Sequence, residues 1–204
     1  MRSPLVGRVN VYNVLAAIGA AVGLGIEPGA IEAGIAQLES VPGRFERVDE
    51  GQPFLVVVDY AHTDDALRNV IQVARELSPK RVITLFGCGG DRDRTKRPLM
   101  GEAAGTLSDL VVLTSDNPRT EDPLRILNDA VVGLQKAAAR YVVEPDRAKA
   151  VEMALDEARP GDLVLVAGKG HETNQILGDR TIDFDDREVV RAALRRRGFG
   201  TDSG

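Results

Sequence analysis

From residue 53 onward the chain alternates short, β-branched apolar runs with longer stretches of helical periodicity. The runs are Phe54–Asp59, Val82–Phe86, Leu110–Thr114, Tyr141–Val143 and Leu163–Ala167. Each is nearly continuous in apolar residues, which is the pattern of a strand covered on both faces. Between them, apolar residues recur at helical spacing over Ala66–Leu77, Lys96–Leu107, Leu124–Ala139 and Ala148–Glu157. Pro123 and Pro145 stand near helix starts, and Pro160-Gly161 marks a break before the last core strand. Strand–helix alternation with short connections predicts an α/β fold, a Rossmann-like, doubly wound and mostly parallel sheet. A small hairpin over Ile176–Ile182 and a terminal helix over Asp185–Arg197 follow it.

The first forty residues have a different rhythm. Asn10 to Leu24 is Ala-rich, with Val11, Val14, Leu15, Ile18 and Val22 at helical spacing. Gly23 and Gly25 end this helix and Pro28 opens a second, Ala30 to Leu38. Asn10 is expected as an N-cap, because its amide oxygen can accept from an orphan backbone N–H. Such a pair cannot bury an apolar face alone, so it docks on the rest of the chain or forms part of a larger domain. The segment Val41-Pro42-Gly43-Arg44 is the expected boundary, with residues 1–43 on one side and 44–204 on the other.

Composition narrows the function classes. The 204 residues carry a net charge of -5, which argues against non-specific attraction to nucleic acid or an anionic membrane. Trp is absent and aromatic content is 4%, too little for a base-stacking module. No apolar run approaches the roughly 20 residues that span a bilayer, and the N-terminus lacks a secretory pattern. The single cysteine, Cys88, excludes an intrachain disulfide and a thiolate-rich metal site. The expectation is a cytoplasmic protein without nucleic-acid or membrane partners.

Chemistry concentrates where strands end. Asp116-Asn117-Pro118-Arg119 follows the Leu110–Thr114 run, Gly87-Cys88-Gly89-Gly90-Asp91-Arg92-Asp93 follows Val82–Phe86, and Gly168-Lys169-Gly170-His171-Glu172 follows Leu163–Ala167. In a parallel sheet the carboxyl ends of strands meet at one edge, where ligands bind. An acid, an amide and a guanidinium at that lip suit a zwitterion, a ligand with carboxylate and ammonium side by side. The glycine cluster lacks the G-x-G-x-x-G spacing and a convincing acid about 20 residues later, so a nicotinamide cofactor is not expected. Gly168-Lys169-Gly170 lacks the spacing and the Ser/Thr of a phosphate loop, and that motif occurs nowhere else in the chain. His62 and His171 are too few and too far apart to suggest zinc. Cys88 reads as a buried small residue, and Arg195-Arg196-Arg197 as cations complementing a helix C-terminus.

Taken in order, Asn10-Val11-Tyr12-Asn13, Gly43-Arg44-Phe45-Glu46, Asp59-Tyr60-Ala61-His62-Thr63, Gly87–Arg97, Asp116–Arg119 and Gly168–Glu172 resemble the Mur ligases of peptidoglycan synthesis. The MurE type, which adds 2,6-diaminopimelate, is the nearest resemblance, over almost the whole chain. It implies that residues 1–43 are the helical tail of a central ATPase domain without its phosphate loop, and 44–204 an amino-acid-binding C-terminal domain. It implies a reaction in which ATP with Mg2+ phosphorylates a D-glutamate γ-carboxylate of UDP-MurNAc-L-Ala-D-Glu, and the amine of meso-diaminopimelate displaces phosphate to form an amide. Arg92, Asp116, Asn117, Pro118, Arg119, Gly168 and Glu172 fall on the positions that hold diaminopimelate, and Asn13, Arg44 and Asp59 on positions facing ATP. Arg119 in the fourth place of its tetrad is similar to diaminopimelate-adding rather than lysine-adding relatives, since an arginine there repels a lysine ammonium. No catalytic residue and no metal ligand is expected within the chain, nor tight ATP binding or turnover by it alone. Where the family has proline, this chain has Asp64, an acid suited to a first helical turn. Two other functions are compatible with the same residues: a non-catalytic diaminopimelate-binding module, and another Mur or folylpolyglutamate-type ligase.

Overall fold

A computed structural model describes residues 2–200. A six-stranded sheet forms the centre, in the order β1-β2-β6-β3-β4-β5. Its strands are β1 (Glu46–Val48), β2 (Leu55–Asp59), β3 (Val82–Cys88), β4 (Leu110–Ser115), β5 (Tyr141–Val143) and β6 (Leu163–Ala167). All pairings are parallel except β1 on β2. The five predicted strands are all present. β1 adds an antiparallel edge that the apolar pattern does not reveal, because Glu46-Arg47-Val48 holds a single aliphatic residue.

Alternation along the strands divides the core into two layers. Val57, Phe86, Val111, Leu113 and Leu165 point to one face, with Leu67, Ile71, Met100, Ala104, Leu127 and Leu134 from α3 (Asp64–Glu76), α4 (Lys96–Leu107) and α5 (Pro123–Lys136). Val56, Val58, Ile83, Leu85, Val112, Val164 and Val166 point to the other, with Val151, Ala154, Val190 and Leu194 from α6 (Arg147–Glu157) and α7 (Asp186–Arg196). The chain winds outward through β3, β4 and β5 on one side, then returns through α6 to insert β6 between β2 and β3. That reversal opens a crevice at the carboxyl edge.

Helix starts follow local side-chain chemistry. Thr63, Asp122, Asp146 and Asp185 each cap a helix by accepting from backbone N–H groups in its first turn. Asp64 is the first residue of α3, as an acid in a first turn allows. The predicted end of α5 at Ala139 is corrected to Lys136, because Ala138 turns into the left-handed region at φ 50°. A two-stranded hairpin, β7 (Asn174–Leu177) and β8 (Arg180–Asp183), lies beside the sheet.

The N-terminal helices are α1 (Arg8–Gly23) and α2 (Pro28–Gln37). The expectation of Asn10 as N-cap is wrong: the cap is Gly7, three residues earlier, and Asn10 is inside the helix. Its buried Nδ2 instead donates to the Val6 carbonyl at 2.8 Å, tying down the strand-like entry to the helix. Val11, Tyr12, Leu15 and Val22 remain exposed.

Candidate functional site

Three backbone turns meet at the carboxyl edge and interlock. The loop after β3 bonds the loop after β4 through Gly90 N–H to the Asn117 carbonyl at 2.9 Å. A Cβ on Gly90 would lie 1.8 Å from the Pro118 oxygen, so only glycine permits this approach. The Arg119 Nη1 donates to the Gly90 carbonyl at 2.8 Å, while Arg119 itself sits at φ 52°. Asp91, at φ 54°, accepts from the Thr120 hydroxyl and backbone N–H, and its own N–H donates to Glu121. Two bulky residues in the left-handed region at adjacent loops represent strain held by the surrounding bonds.

These loops enclose a cleft of about 300 Å³ lined by Arg92, Asp116, Asn117, Arg119, Gly168 and Glu172, along with Tyr60, His62, Lys96 and Arg97. Six of the seven residues predicted for the amino-acid pocket therefore share one cavity. Pro118 does not line it; its carbonyl packs on Gly90 and shapes the turn from behind. Arg92 and Arg119 are on the same side, since a Cβ placed on Gly89 would touch both, at 3.5 and 3.1 Å. Across the cleft, Glu172 Oε2 accepts from Asn117 Nδ2 at 2.9 Å and from Lys169 Nζ at 2.9 Å. Asp116 is buried; its Oδ1 accepts from the Asn117 N–H at 2.6 Å, and its Oδ2 would contact a Cβ on Gly168 at 2.8 Å.

The electrostatics are set from below the floor. Burial pushes the Asp116 carboxyl up from its ordinary range, and the Arg147 and Lys169 cations oppose that shift. Burial likewise raises Glu172, but Lys169 and Asn117 outweigh it and hold the carboxyl below its usual value. Arg147 is fully buried and forks onto Asp186 with both bonds at 2.8 Å. Its remaining donors reach the Ser115 carbonyl at 3.2 Å and the Ala167 carbonyl at 3.0 Å, the last residues of β4 and β6. One guanidinium thus pins the two strand ends that carry Asp116 and Gly168. Arg97, also buried, bonds Glu121, Asp129 and the Gly89 carbonyl, and holds the Glu121 carboxyl down at about 2. Cys88 is buried with its thiol pushed up to about 12, so it is no nucleophile.

A second cleft opens where α1 faces the end of β2. Asn13, Arg44 and Asp59, the three residues predicted for the nucleotide side, line it together with Asn10, Tyr60, His62 and Asn69. Asp59 accepts from the Phe45 N–H at 2.7 Å and the Ala61 N–H at 2.8 Å, and burial raises its carboxyl despite both bonds. The Arg44 guanidinium lies 4.8 Å from the Tyr60 ring centroid. Tyr60 also meets the rings of His62 and His171, at 4.6 and 5.1 Å. Among the described residues no group of three or more His, Cys, Asp or Glu could hold a metal ion, and no helix is long and apolar enough to cross a membrane.

Residues 43–170 match the family described as Mur ligase, glutamate ligase domain. The chain belongs to the Mur ligase family. Among individual Mur ligases, it is 65% identical over 98% of its length to the UDP-N-acetylmuramoyl-L-alanyl-D-glutamate–2,6-diaminopimelate ligase of Solibacter usitatus. It is 54% identical over 94% of its length to the ligase of that name from Syntrophomonas wolfei. The chain spans about 40% of the length of these curated relatives. A solved structure of a diaminopimelate ligase of the same name superposes over 97% of the chain with a TM-score of 0.76 and 41% identity, again over 40% of that protein. The MurC ligase of Thermotoga maritima shares the fold, with a TM-score of 0.66 at 21% identity over 95% of the chain and 39% of that protein.

Four participants were not anticipated as such: Arg147, Asp186, Arg97 and Lys169. For two, a signal existed. Arg147 falls on the stripe Ala150, Val151, Ala154 of α6, and Arg97 on the stripe Met100, Ala104 of α4. An arginine at an inward position of a helix is a buried cation needing partners.

Proposed function

We propose that this chain supplies the amino-acid pocket, and one wall of the nucleotide site, of an ATP-dependent ligase that adds meso-diaminopimelate to UDP-MurNAc-L-Ala-D-Glu. The observation that carries this reading is the 300 Å³ cleft that brings Arg92 and Arg119 together with Glu172 and Asp116. Meso-diaminopimelate keeps an amino-acid head at the end that does not react. Arg119, anchored through Nη1, offers its Nε–Nη2 edge as a fork for that head's carboxylate. Asp116 and Glu172 receive its ammonium, and Arg92 meets the second carboxylate. High identity to proteins named as diaminopimelate ligases supports the same ligand.

The chemistry asked of such a pocket is orientation. The reacting amine must approach the carbonyl carbon of an acyl phosphate from above its trigonal plane so that phosphate can leave, and clamping the far end of the ligand raises the amine's effective concentration there. Arg44 and Asp59 suit the nucleotide side: the guanidinium can meet phosphoryl oxygens, while the buried carboxylate orders the junction. Mg2+ belongs with the ATP phosphates, where it neutralises developing charge. Residues 1–43 are the tail of the neighbouring ATPase domain and 44–204 the ligand domain, and the protein acts in the cytoplasm without nucleic-acid or membrane partners.

Isothermal titration of the chain with meso-diaminopimelate and L-lysine tests the reading. Saturable binding of the first, at least tenfold weaker binding of the second, and loss in Arg119→Ala by about 10–100-fold are expected. Equal affinity for lysine, or an unchanged Kd in Arg119→Ala, contradicts it.

A further inference from the structure

We propose that Lys169 is a positioning residue of the amino-acid cleft, holding Asn117 and Glu172 in the geometry that receives the ligand while touching no ligand itself. The proposal rests on the diaminopimelate reading of the same cleft. Lys169 follows β6 and is fully buried. Its ammonium donates to Glu172 Oε2 at 2.9 Å, to Asn117 Oδ1 at 3.3 Å and to the Asn174 carbonyl at 2.5 Å. An ammonium has three protons, and all three are used within the protein. None remains for a phosphate or a substrate carboxylate, which separates Lys169 from the phosphate-loop lysine its glycine neighbours suggest.

The consequence falls on Asn117. Its Oδ1 accepts from Lys169 and from the Ile176 N–H at 3.0 Å, so the amide cannot flip without setting its NH2 against two donors. Nδ2 is therefore directed at Glu172 Oε2, which Lys169 also holds. Two donors fix one carboxylate oxygen and so fix the carboxylate plane. Glu172 is faced by Lys169 and Arg119, more distantly by Arg147, and by the like charge of Asp116. Removing Lys169 leaves two neighbouring carboxylates with less cationic support and an asparagine free to turn.

Side-chain NMR of the full chain, joined to calorimetry with meso-diaminopimelate, tests this. In the wild type the Glu172 carboxyl carbon titrates below the ordinary glutamate value of ~4.3. In Lys169→Met that titration rises, the Asn117 side-chain amide signal moves, and diaminopimelate binds about tenfold or more weakly, with the loss growing as pH falls. Unmoved Glu172 and Asn117 signals in folded Lys169→Met overturn the proposal, as does an unchanged Kd when those signals have moved. Should the variant not fold, the wild-type titration decides: a Glu172 midpoint at the ordinary value overturns the proposal, and one below it supports it. Absence of diaminopimelate binding by the wild type counts against the ligand assignment, while the two ligand-free signals still decide what Lys169 does.

Discussion

The two clefts share Tyr60 and His62 but are built by different means. The charged groups assigned to the ligand in the first cleft, Arg92, Asp116, Arg119 and Glu172, stand on loops that follow strand ends, and a buried arginine pins two of those strands together. The nucleotide-side cleft has one such wall, the end of β2 with Asp59. Its other walls are Ala66, Asn69, Val70 and Val73 of α3, and α1, whose only buried residue is Asn10 and on which Val11, Tyr12, Leu15 and Val22 are exposed. On the proposed reading, specificity for the amino acid resides in a preorganised, ion-paired cup, whereas the second cleft takes part of its shape from α1, a helix with one buried residue. A close backbone approach also joins them. A Cβ on Gly43 would lie 2.2 Å from the His171 nitrogen, so the segment carrying Arg44 packs backbone to backbone on the loop carrying Glu172.

The largest expected effect comes from removing the pin. Arg147→Met leaves Asp186 buried without its partner and should cost about 3–5 kcal/mol, read as a lowered urea midpoint. Both strand ends should loosen, and with them the amino-acid cleft. A variant as stable as the wild type would show that the sheet holds the cup without this ion pair.

Acidification should separate ligand capture from folding. Burial raises Asp116, so on lowering pH it takes up its proton above the ordinary aspartate value of ~3.9, and affinity for a ligand ammonium falls there. For an acid raised by folding, the native state binds the proton more readily than the unfolded chain, so this step does not destabilise the fold. Glu121 has the opposite sign: held at about 2 by Arg97, it contributes stability that is fully present above its unfolded value of ~4.3 and is lost progressively as pH falls from there through about 2. Calorimetry and circular dichroism from about pH 7 down to about pH 2, spanning the ordinary carboxylate values and the Glu121 value of about 2, should show binding lost before structure. Simultaneous loss would break the distinction.

The smallest effect on ligand capture is expected in the second cleft. Asp59→Asn keeps one good acceptor where two backbone N–H groups need one each, costing about 1–3 kcal/mol of stability. Diaminopimelate affinity should stay within about twofold. A tenfold loss would mean that the Gly43–His171 contact transmits strain from one cleft to the other.

Much of the architecture was legible because a covered parallel sheet writes itself as separate apolar runs. All five such runs are strands, and turn chemistry placed the polar residues at their carboxyl ends. Six of seven pocket residues converge because parallel strands bring their ends to one edge. β1 was invisible because it is three residues long and one of its two buried positions is Glu46, so its alternating burial leaves no apolar alternation in the sequence. The exchange of Asn10 from cap to anchor was illegible because its partner, the Val6 carbonyl, lies outside the helix. Buried charges were hardest. Lys169 and Asp186 look like surface residues until the fold encloses them, and only the inward stripes of α4 and α6 betray Arg97 and Arg147.

The central claim is that opposite charges at one sheet edge form a cup for the inert head of a diamino diacid. Amide and side-chain NMR mapping of meso-diaminopimelate onto the chain tests it most directly. The account predicts shifts concentrated at Gly89, Arg92, Asn117, Arg119, Gly168 and Glu172, with the signals of Asn13 and Val11 unmoved. Shifts centred on Asn13, Arg44 and Asp59, with Arg119 and Glu172 silent, would contradict it.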